Sequence, residues 1–247
     1  PLEMVVSTLI NDLETAARDA VLVLDDYHLI ASAEIHESVA FLLAHLPPQL
    51  RLVVVTRADP PLPLAALRAD GDLLEIRAAD LRFTADEAGA YLRDVMDLAL
   101  TADDVERLDA RTEGWIAALQ LAALSLRGRD DPSSFVAAFA GDDRFILDYL
   151  TDEVLERQRP EVRDFLLATS ILTRLTASLC AAVTGHAGAK AMLEQLERSN
   201  LFVVPLDDRR SWYRYHHLFG DVLRARLLDE QPERVAELHR RASDWYA

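Results

Sequence analysis

Val21-Leu22-Val23-Leu24-Asp25-Asp26 is a short apolar run that ends in two acids, and it determines how the first third of the chain folds. A second run, Leu52-Val53-Val54-Val55, ends in Thr56-Arg57. Residues 34–46, between the runs, place apolar side chains at helical spacing. Unbroken β-branched runs separated by a helix are typical of parallel strands buried on both faces. The pattern predicts a strand, crossover helix, strand unit, and Leu73-Leu74-Glu75-Ile76 is a candidate for one more strand.

Charged side chains follow both predicted strands at their carboxyl ends, where open parallel sheets bind ligands. Asp25 and Asp26 match a Walker B strand: the first acid can hold the water shell of Mg²⁺, and the second can orient an attacking water. Arg57 can present a guanidinium fork to a γ-phosphate from the neighbouring strand. The alternatives are an ordinary strand that ends in a polar turn and a solvated surface arginine.

A phosphate-binding loop requires Gly-x-x-x-x-Gly-Lys followed by Ser or Thr. The chain contains one lysine, Lys190, within Gly188-Ala189-Lys190-Ala191, where the spacing fails. We therefore expect that this chain does not hydrolyse ATP by that route.

The remainder of the chain changes to helix after helix from Thr84 onward. Thr84 and Glu87 form a capping-box pattern, and Pro160 stands where the first helical position tolerates proline. Residues 201–205 and 212–215 flank a turn at Asp207-Asp208 and predict a β-hairpin. Short helices followed by a hairpin are typical of a winged helix. The predicted fold is mainly α, with a truncated α/β N-terminal part that contains a parallel sheet.

Composition excludes several classes of protein. The 247 residues carry a net charge of −16, which argues against non-specific attraction to nucleic acid. No apolar run approaches the length of a membrane helix. The single cysteine, Cys180, excludes an internal disulfide, reads as a small core residue, and fits a reducing cytoplasm. His216-His217 follows the hairpin, and its simplest interpretation is a surface or partly packed pair.

Six strings, in order along nearly the whole chain, resemble the MalT-like signal-transduction ATPases (STAND class) among the large ATP-binding LuxR-type regulators. They occupy residues 21–30, 55–61, 81–84, 114–121, 200–202 and 215–219. Each string alone is unspecific, whereas the ordered set is highly specific. Gly114-Trp115, within the fourth string, reads most simply as core packing.

The resemblance implies a domain order. Residues 1–80 would be the C-terminal half of a P-loop NTPase-like core, and residues 81–140 a helical lid. Residues 141–230 would be a winged-helix domain, and residues 231–247 the start of a helical sensor. The chain would then begin after the phosphate-binding loop.

The resemblance also implies roles for individual residues. Asp25 and Asp26 would be the Walker B acids, with Asp25 holding Mg²⁺ through water. Arg57 would be the sensor arginine. One imidazole of His216 and His217 would contact the phosphates of ADP, and we favour His216 slightly.

For the intact parent, the resemblance implies a slow ATPase used as a switch between an ADP-bound resting monomer and an ATP-bound oligomer. ATP or ADP and Mg²⁺ would be its cofactors, and none is expected on the fragment itself. An inducer would bind a missing sensor region, and DNA a missing C-terminal helix-turn-helix. No membrane contact is implied, and the protein would be cytoplasmic.

Two alternatives remain open. The fragment could bind nucleic acid through its winged helix, where Arg209, Arg210 and Arg214 lie near the wing. Acidic and basic side chains balance over residues 145–228, however, and a DNA-reading module usually shows a basic excess. The fragment could instead be a free-standing adaptor that binds a partner through the acidic block at residues 84–114.

Overall fold

A computed structural model describes residues 2–16, 18–129, 131–139 and 143–246. The chain divides into two compact units. The first comprises Pro1–Ile76 with Arg198–Asn200, and the second comprises Arg77–Glu197 with Leu201–Ala247.

The first unit is built on a two-stranded parallel sheet. Its elements are α1 (Leu2–Ala16), β1 (Ala20–Leu24), a 3₁₀ turn (Tyr27–Leu29), α2 (Ala33–Ala44), β2 (Leu50–Val54) and α3 (Leu64–Asp70). The register pairs Ala20 with Leu50 and Leu24 with Val54, which confirms the strand, helix, strand prediction. The candidate third strand is wrong: residues 73–76 are irregular. This segment follows Gly71, which ends α3 with a φ of 80°.

The sheet is covered on one face only. Leu50 joins Ile10 and Leu42 in a small core beneath it, and Leu22 packs against that core. On the opposite face Val21 is 62% exposed and Val23 is 55% exposed. The expectation of a sheet buried on both faces is therefore wrong for the described residues, because the apolar contacts of α1 and α2 reach only the face that carries Leu22 and Leu50.

Among its described residues, the second unit is helical apart from one hairpin. Its elements are α4 (Ala85–Ala90), a π-helical turn (Tyr91–Val95), α5 (Ala102–Thr112), α6 (Ile116–Leu126), α7 (Pro132–Ala138), α8 (Arg144–Leu150), a second π-helical turn (Thr151–Leu155), α9 (Pro160–Thr169), α10 (Ala177–Thr184), α11 (Ala189–Arg198), β3 (Val203–Pro205), β4 (Tyr213–Tyr215), α12 (His217–Glu230) and α13 (Pro232–Tyr246). One large apolar core runs through these helices and the hairpin.

Local sequence signals explain several of these boundaries. The Thr84 hydroxyl accepts from the Glu87 backbone N–H while the Glu87 carboxylate accepts from the Thr84 N–H, so the predicted capping box is confirmed. Pro160 occupies the first turn of α9 as predicted. The hairpin is also confirmed, since β3 and β4 pair antiparallel with Val203 opposite Tyr215.

The interpretation of Cys180 as a core residue is confirmed. Its side chain is fully buried, and burial raises the pKa of the thiol to about 12. Within the described ranges, none of the helices combines the length and apolar character required to cross a membrane.

Candidate functional site

The two acids after β1 are exposed at the carboxyl end of the strand. Asp26 adopts a left-handed backbone conformation with a φ of 50°, and its N–H donates to Oδ1 of Asp25 over 2.8 Å. The ladder continues past the acids, because the Tyr27 N–H donates to the Val55 carbonyl. This arrangement turns the chain sharply and leaves both carboxylates facing solvent.

Arg57 is exposed and lies three residues beyond the end of β2. The hydroxyl of Thr56 donates to the Ala58 carbonyl over 2.8 Å and shapes this turn. Because β1 and β2 are parallel and in register, Asp25, Asp26 and Arg57 all lie at the end of the sheet where the carboxyl ends of both strands meet. The structure therefore places three of the five site residues identified from the sequence at the same end of the sheet.

The donor set at this edge suits a magnesium ion that keeps most of its water. Mg²⁺ is usually bound through one or two carboxylates together with water and phosphate oxygens. Asp25 and Asp26 provide two exposed carboxylates of this kind. Across the described residues, no group of three or more His, Cys, Asp or Glu side chains forms a metal cage, so any magnesium here would depend on ligands from the nucleotide.

The other two site residues lie in the second unit, where His216 is a buried part of the core. Its ring is 5.8 Å from that of Phe202 and 6.1 Å from that of Trp115. Nε2 lies 2.9 Å from the Thr112 carbonyl oxygen. A carbonyl can only accept, so the proton sits on Nε2. Nδ1 is buried and has no hydrogen-bond partner among the residues described.

The surroundings of His216 keep its ring neutral. Burial is the largest effect and lowers its pKa, and the nearby Arg82 and His217 side chains act in the same direction. The carboxylate of Glu113 and the hydrogen bond to Thr112 oppose this shift without overcoming it. The imidazole of His216 therefore serves packing at neutral pH.

His217 differs from its neighbour, because its side chain is 51% exposed. It is the first residue of α12, and its backbone N–H donates to Oε1 of Glu113 over 3.1 Å. Its Nδ1 lies 3.4 Å from the same oxygen. Of the two imidazoles, that of His217 is the more exposed, and its Nδ1 also lies 3.3 Å from the Ala110 carbonyl oxygen.

Glu113 is the centre of this region, and we call the cluster of Glu113, Arg82, Arg214 and His217 the Glu113 junction. Arg214 donates to both carboxylate oxygens, from Nη1 over 2.7 Å and from Nη2 over 2.9 Å. Arg82 adds a longer contact of 3.5 Å. Burial raises the pKa of Glu113, but the hydrogen bonds and charge of Arg214, the nearby His216 ring and the backbone N–H of His217 outweigh it and lower the pKa to about 2. The carboxylate is ionised at every physiological pH.

Sequence reasoning missed Glu113 and the partner of Arg214. A signal was present, because Glu113 ends α5, and a carboxylate at the negative end of a helix is unfavourable without compensation. Arg214, considered above as a wing arginine for DNA, is instead engaged by Glu113. Arg210 is likewise paired, with Nε 3.0 Å from the Glu197 carboxylate.

Gly114 sets the backbone path that brings the junction together. Its φ is 71°, and a Cβ atom there would lie 2.3 Å from the Phe83 carbonyl oxygen. The Phe83 N–H in turn donates to the Gly114 carbonyl over 2.8 Å. Trp115 follows and packs edge-on against Phe202 at 5.0 Å, so the interpretation of Gly114-Trp115 as core packing is confirmed.

Comparison with known proteins finds sequences that are similar to this chain. Residues 151–235 match the MalT winged helix domain, which confirms that a winged-helix domain is present. The HTH-type transcriptional regulator MalT of Klebsiella pneumoniae is 39% identical over 100% of this chain and 28% of the regulator. The serine/threonine-protein kinase PknK of Mycobacterium tuberculosis is 39% identical over 98% of this chain and 22% of the kinase. The chain thus spans only about a quarter of the length of these relatives, and the MalT-like resemblance is confirmed along it.

Proposed function

We propose that this MalT-like chain is the regulatory core of a nucleotide-switched transcription regulator of the LuxR type, which couples ATP or ADP binding to oligomerisation. The observation that carries the proposal is the convergence of Asp25, Asp26 and Arg57 at the carboxyl edge of one parallel sheet. That edge is where open α/β sheets bind ligands.

The relatives support a switching role for this segment over a catalytic or DNA-reading role. A similar sequence, 39% identical to this chain, occurs in a protein named as a kinase and in one named as a transcriptional regulator. Each of these proteins is several times longer than the matched segment. A module common to both contributes a property that both can use, and control by a bound ligand is such a property.

At the carboxyl ends of β1 and β2, Asp25 would hold Mg²⁺ through water and Asp26 would orient the attacking water. Bound Mg²⁺ would neutralise charge on the phosphates of the nucleotide. Arg57 would contact the terminal phosphate, for which its exposed guanidinium is suited. ATP and ADP are therefore the cofactors we propose for a polypeptide that supplies a phosphate-binding loop.

Within the second unit, the Glu113 junction would hold the start of α12 against the end of α5. Of the pair His216 and His217, the exposed ring of His217 is the one we assign to the ADP phosphates. Self-association, an inducer and DNA contact through a helix-turn-helix are proposed for the longer protein.

The strand-edge assignment is tested by Asp26→Asn in a full-length polypeptide that carries this chain. We expect ATP turnover to fall by about tenfold or more, because the substitution removes the group that orients water. ATP affinity should change little, since no phosphate contact is lost. Asp70→Asn, the same change at an exposed position on α3, is the control. If ATP turnover by Asp26→Asn matches turnover by that control, the role of Asp26 after β1 is purely structural.

His217→Ala tests the link between the winged-helix domain and the nucleotide. A hydrogen bond to a charged group contributes enough that its loss should speed ADP release by about ten- to a hundredfold. Transcription without inducer should rise as the resting state empties. ADP dissociation is measured by stopped flow, with His239→Ala, an exposed histidine on α13, as the matched control. Equal ADP release by both variants would rule out the phosphate contact.

A further inference from the structure

A cleft in the second unit, beside the turn between β3 and β4, suggests a second site. Its volume is about 480 Å³. The lining comes from the turn between β3 and β4, the first residue of β4, the beginning of α10, two residues of α11 (Lys190 and Leu193) and Trp245 of α13. None of these residues belongs to the Glu113 junction or to the strand edge.

Two cations that line this cleft are available to a ligand. Lys190 and Arg209 are exposed, and the described part of the chain shows an ion pair for neither. Of the acids nearby, Glu197 pairs with Arg210, Asp207 accepts the backbone N–H groups of the turn, and Glu194 also has a partner. Lys190 and Arg209 are therefore two exposed cations of the cleft that no ion pair among the described residues neutralises.

The beginning of α10 adds backbone donors to the same cleft. The Thr176 hydroxyl oxygen accepts from the Leu179 N–H over 3.1 Å, and this cap satisfies the third N–H of the helix. The N–H groups of Ala177 and Ser178 have no partner within the helix, and both residues line the cleft. Free N–H groups and the positive end of a helix favour a phosphate or carboxylate.

Two tryptophans complete the lining. Trp212 is 37% exposed and Trp245 is 36% exposed, so each residue keeps part of its surface open to solvent. The turn at Asp207 holds the backbone of Trp212 in place through a hydrogen bond to its N–H. Indole faces stack on flat rings and on the apolar faces of sugars. Cations and helix N–H groups beside such faces would recognise both ends of a ligand that combines a charged group with a ring.

We propose that this cleft, formed by Lys190, Arg209, Trp212, Trp245 and the start of α10, binds an organic phosphate whose ring stacks on tryptophan. Inorganic phosphate would leave the indoles unused, and an uncharged ring would leave the cations unused. A long nucleic acid is disfavoured by the net charge of −16. The ring comes from one of two sources, a nucleobase or a sugar.

The test is titration calorimetry of this chain with adenosine monophosphate, glucose 6-phosphate, inorganic phosphate and adenosine. We expect at least one of the two organic phosphates to bind about tenfold or more tightly than inorganic phosphate and adenosine. Tighter binding of the nucleotide identifies a base as the ring, and tighter binding of the sugar phosphate identifies a sugar. Equal, millimolar binding of all four compounds would overturn the proposal.

Variants locate the binding. Arg209→Ala and Lys190→Ala should each weaken binding of the organic phosphate by about tenfold. Trp212→Leu should reduce its affinity to that of inorganic phosphate. Arg144→Ala, whose side chain is 86% exposed on α8, is the control and should change nothing. If Arg57→Ala abolishes binding and Arg209→Ala does not, the ligand binds at the carboxyl ends of β1 and β2, and the proposal is overturned. Much tighter binding of a single-stranded oligonucleotide than of the mononucleotide would assign the cleft to nucleic acid and overturn the proposal.

Discussion

Gly114→Ala is expected to lower the free energy of unfolding of the second unit by at least about 3 kcal/mol. A left-handed backbone alone costs a residue with a Cβ about 1 to 2 kcal/mol. The added carbon would also lie 2.3 Å from the Phe83 carbonyl oxygen and 3.0 Å from its nitrogen. Both atoms are backbone, so no side-chain rotation can relieve the overlap.

Gly185→Ala is the matched control for that substitution. Gly185 has a similar φ of 74°, but a Cβ there would meet nothing within 4 Å. This control carries the conformational cost without the overlap, so it should lose only about 1 to 2 kcal/mol. Urea unfolding of the two variants separates the effects. Equal losses would show that the approach of Gly114 to Phe83 does not constrain the fold.

Glu113→Gln is expected to lower the free energy of unfolding by about 2 to 3 kcal/mol at neutral pH. Removing one partner of a buried pair typically costs about 3 to 5 kcal/mol. The smaller figure applies here because the Arg214 side chain is 25% exposed and keeps part of its hydration. Glutamine retains the size of the side chain and one oxygen acceptor, so the loss reports mainly on charge.

The pH dependence of that loss provides a second readout. The pKa of Glu113 in the folded chain is about 2, below its ordinary value of 4.5. Its carboxylate therefore makes its full contribution to the free energy of unfolding when the pH is above 4.5. The contribution disappears as the pH falls toward 2. The difference between wild type and Glu113→Gln should therefore shrink below about pH 5. Glu237→Gln is the control, because Glu237 pairs with arginines on the open surface of α13, where screening leaves little to lose. A Glu113→Gln loss no larger than this control would exclude a stabilising junction.

Local signals in the sequence were sufficient for the secondary structure near helix ends and strands. The cap at Thr84, the proline at 160 and the hairpin around Asp207 each depend on neighbours within about five residues. The two acids and the arginine at the sheet edge could be placed for a similar reason, since parallel strands end at a common edge.

Contacts across long separations could not be predicted in the same way. Glu113 and Arg214 are separated by 101 positions, and neither lies in a pattern that points to the other. Periodicity also could not distinguish His216 from His217, because the burial of one ring depends on Phe202 and Trp115, which reach it through tertiary packing. The bare face of the sheet was missed for a related reason, since a valine run looks the same whether one face or both are covered.

That bare face has a consequence for how the chain behaves as a colloid. Val21, Val23, Val53 and Val55 form an apolar surface on a sheet that has two strands among the described residues. Each of these strands is an edge, and exposed strand edges promote pairing between chains. The net charge of −16 opposes such encounters through mutual repulsion. Added salt shortens the range of that repulsion, to about 10 Å at about 0.1 M, while leaving the attraction between apolar surfaces intact. We therefore expect self-association through this face to increase with ionic strength.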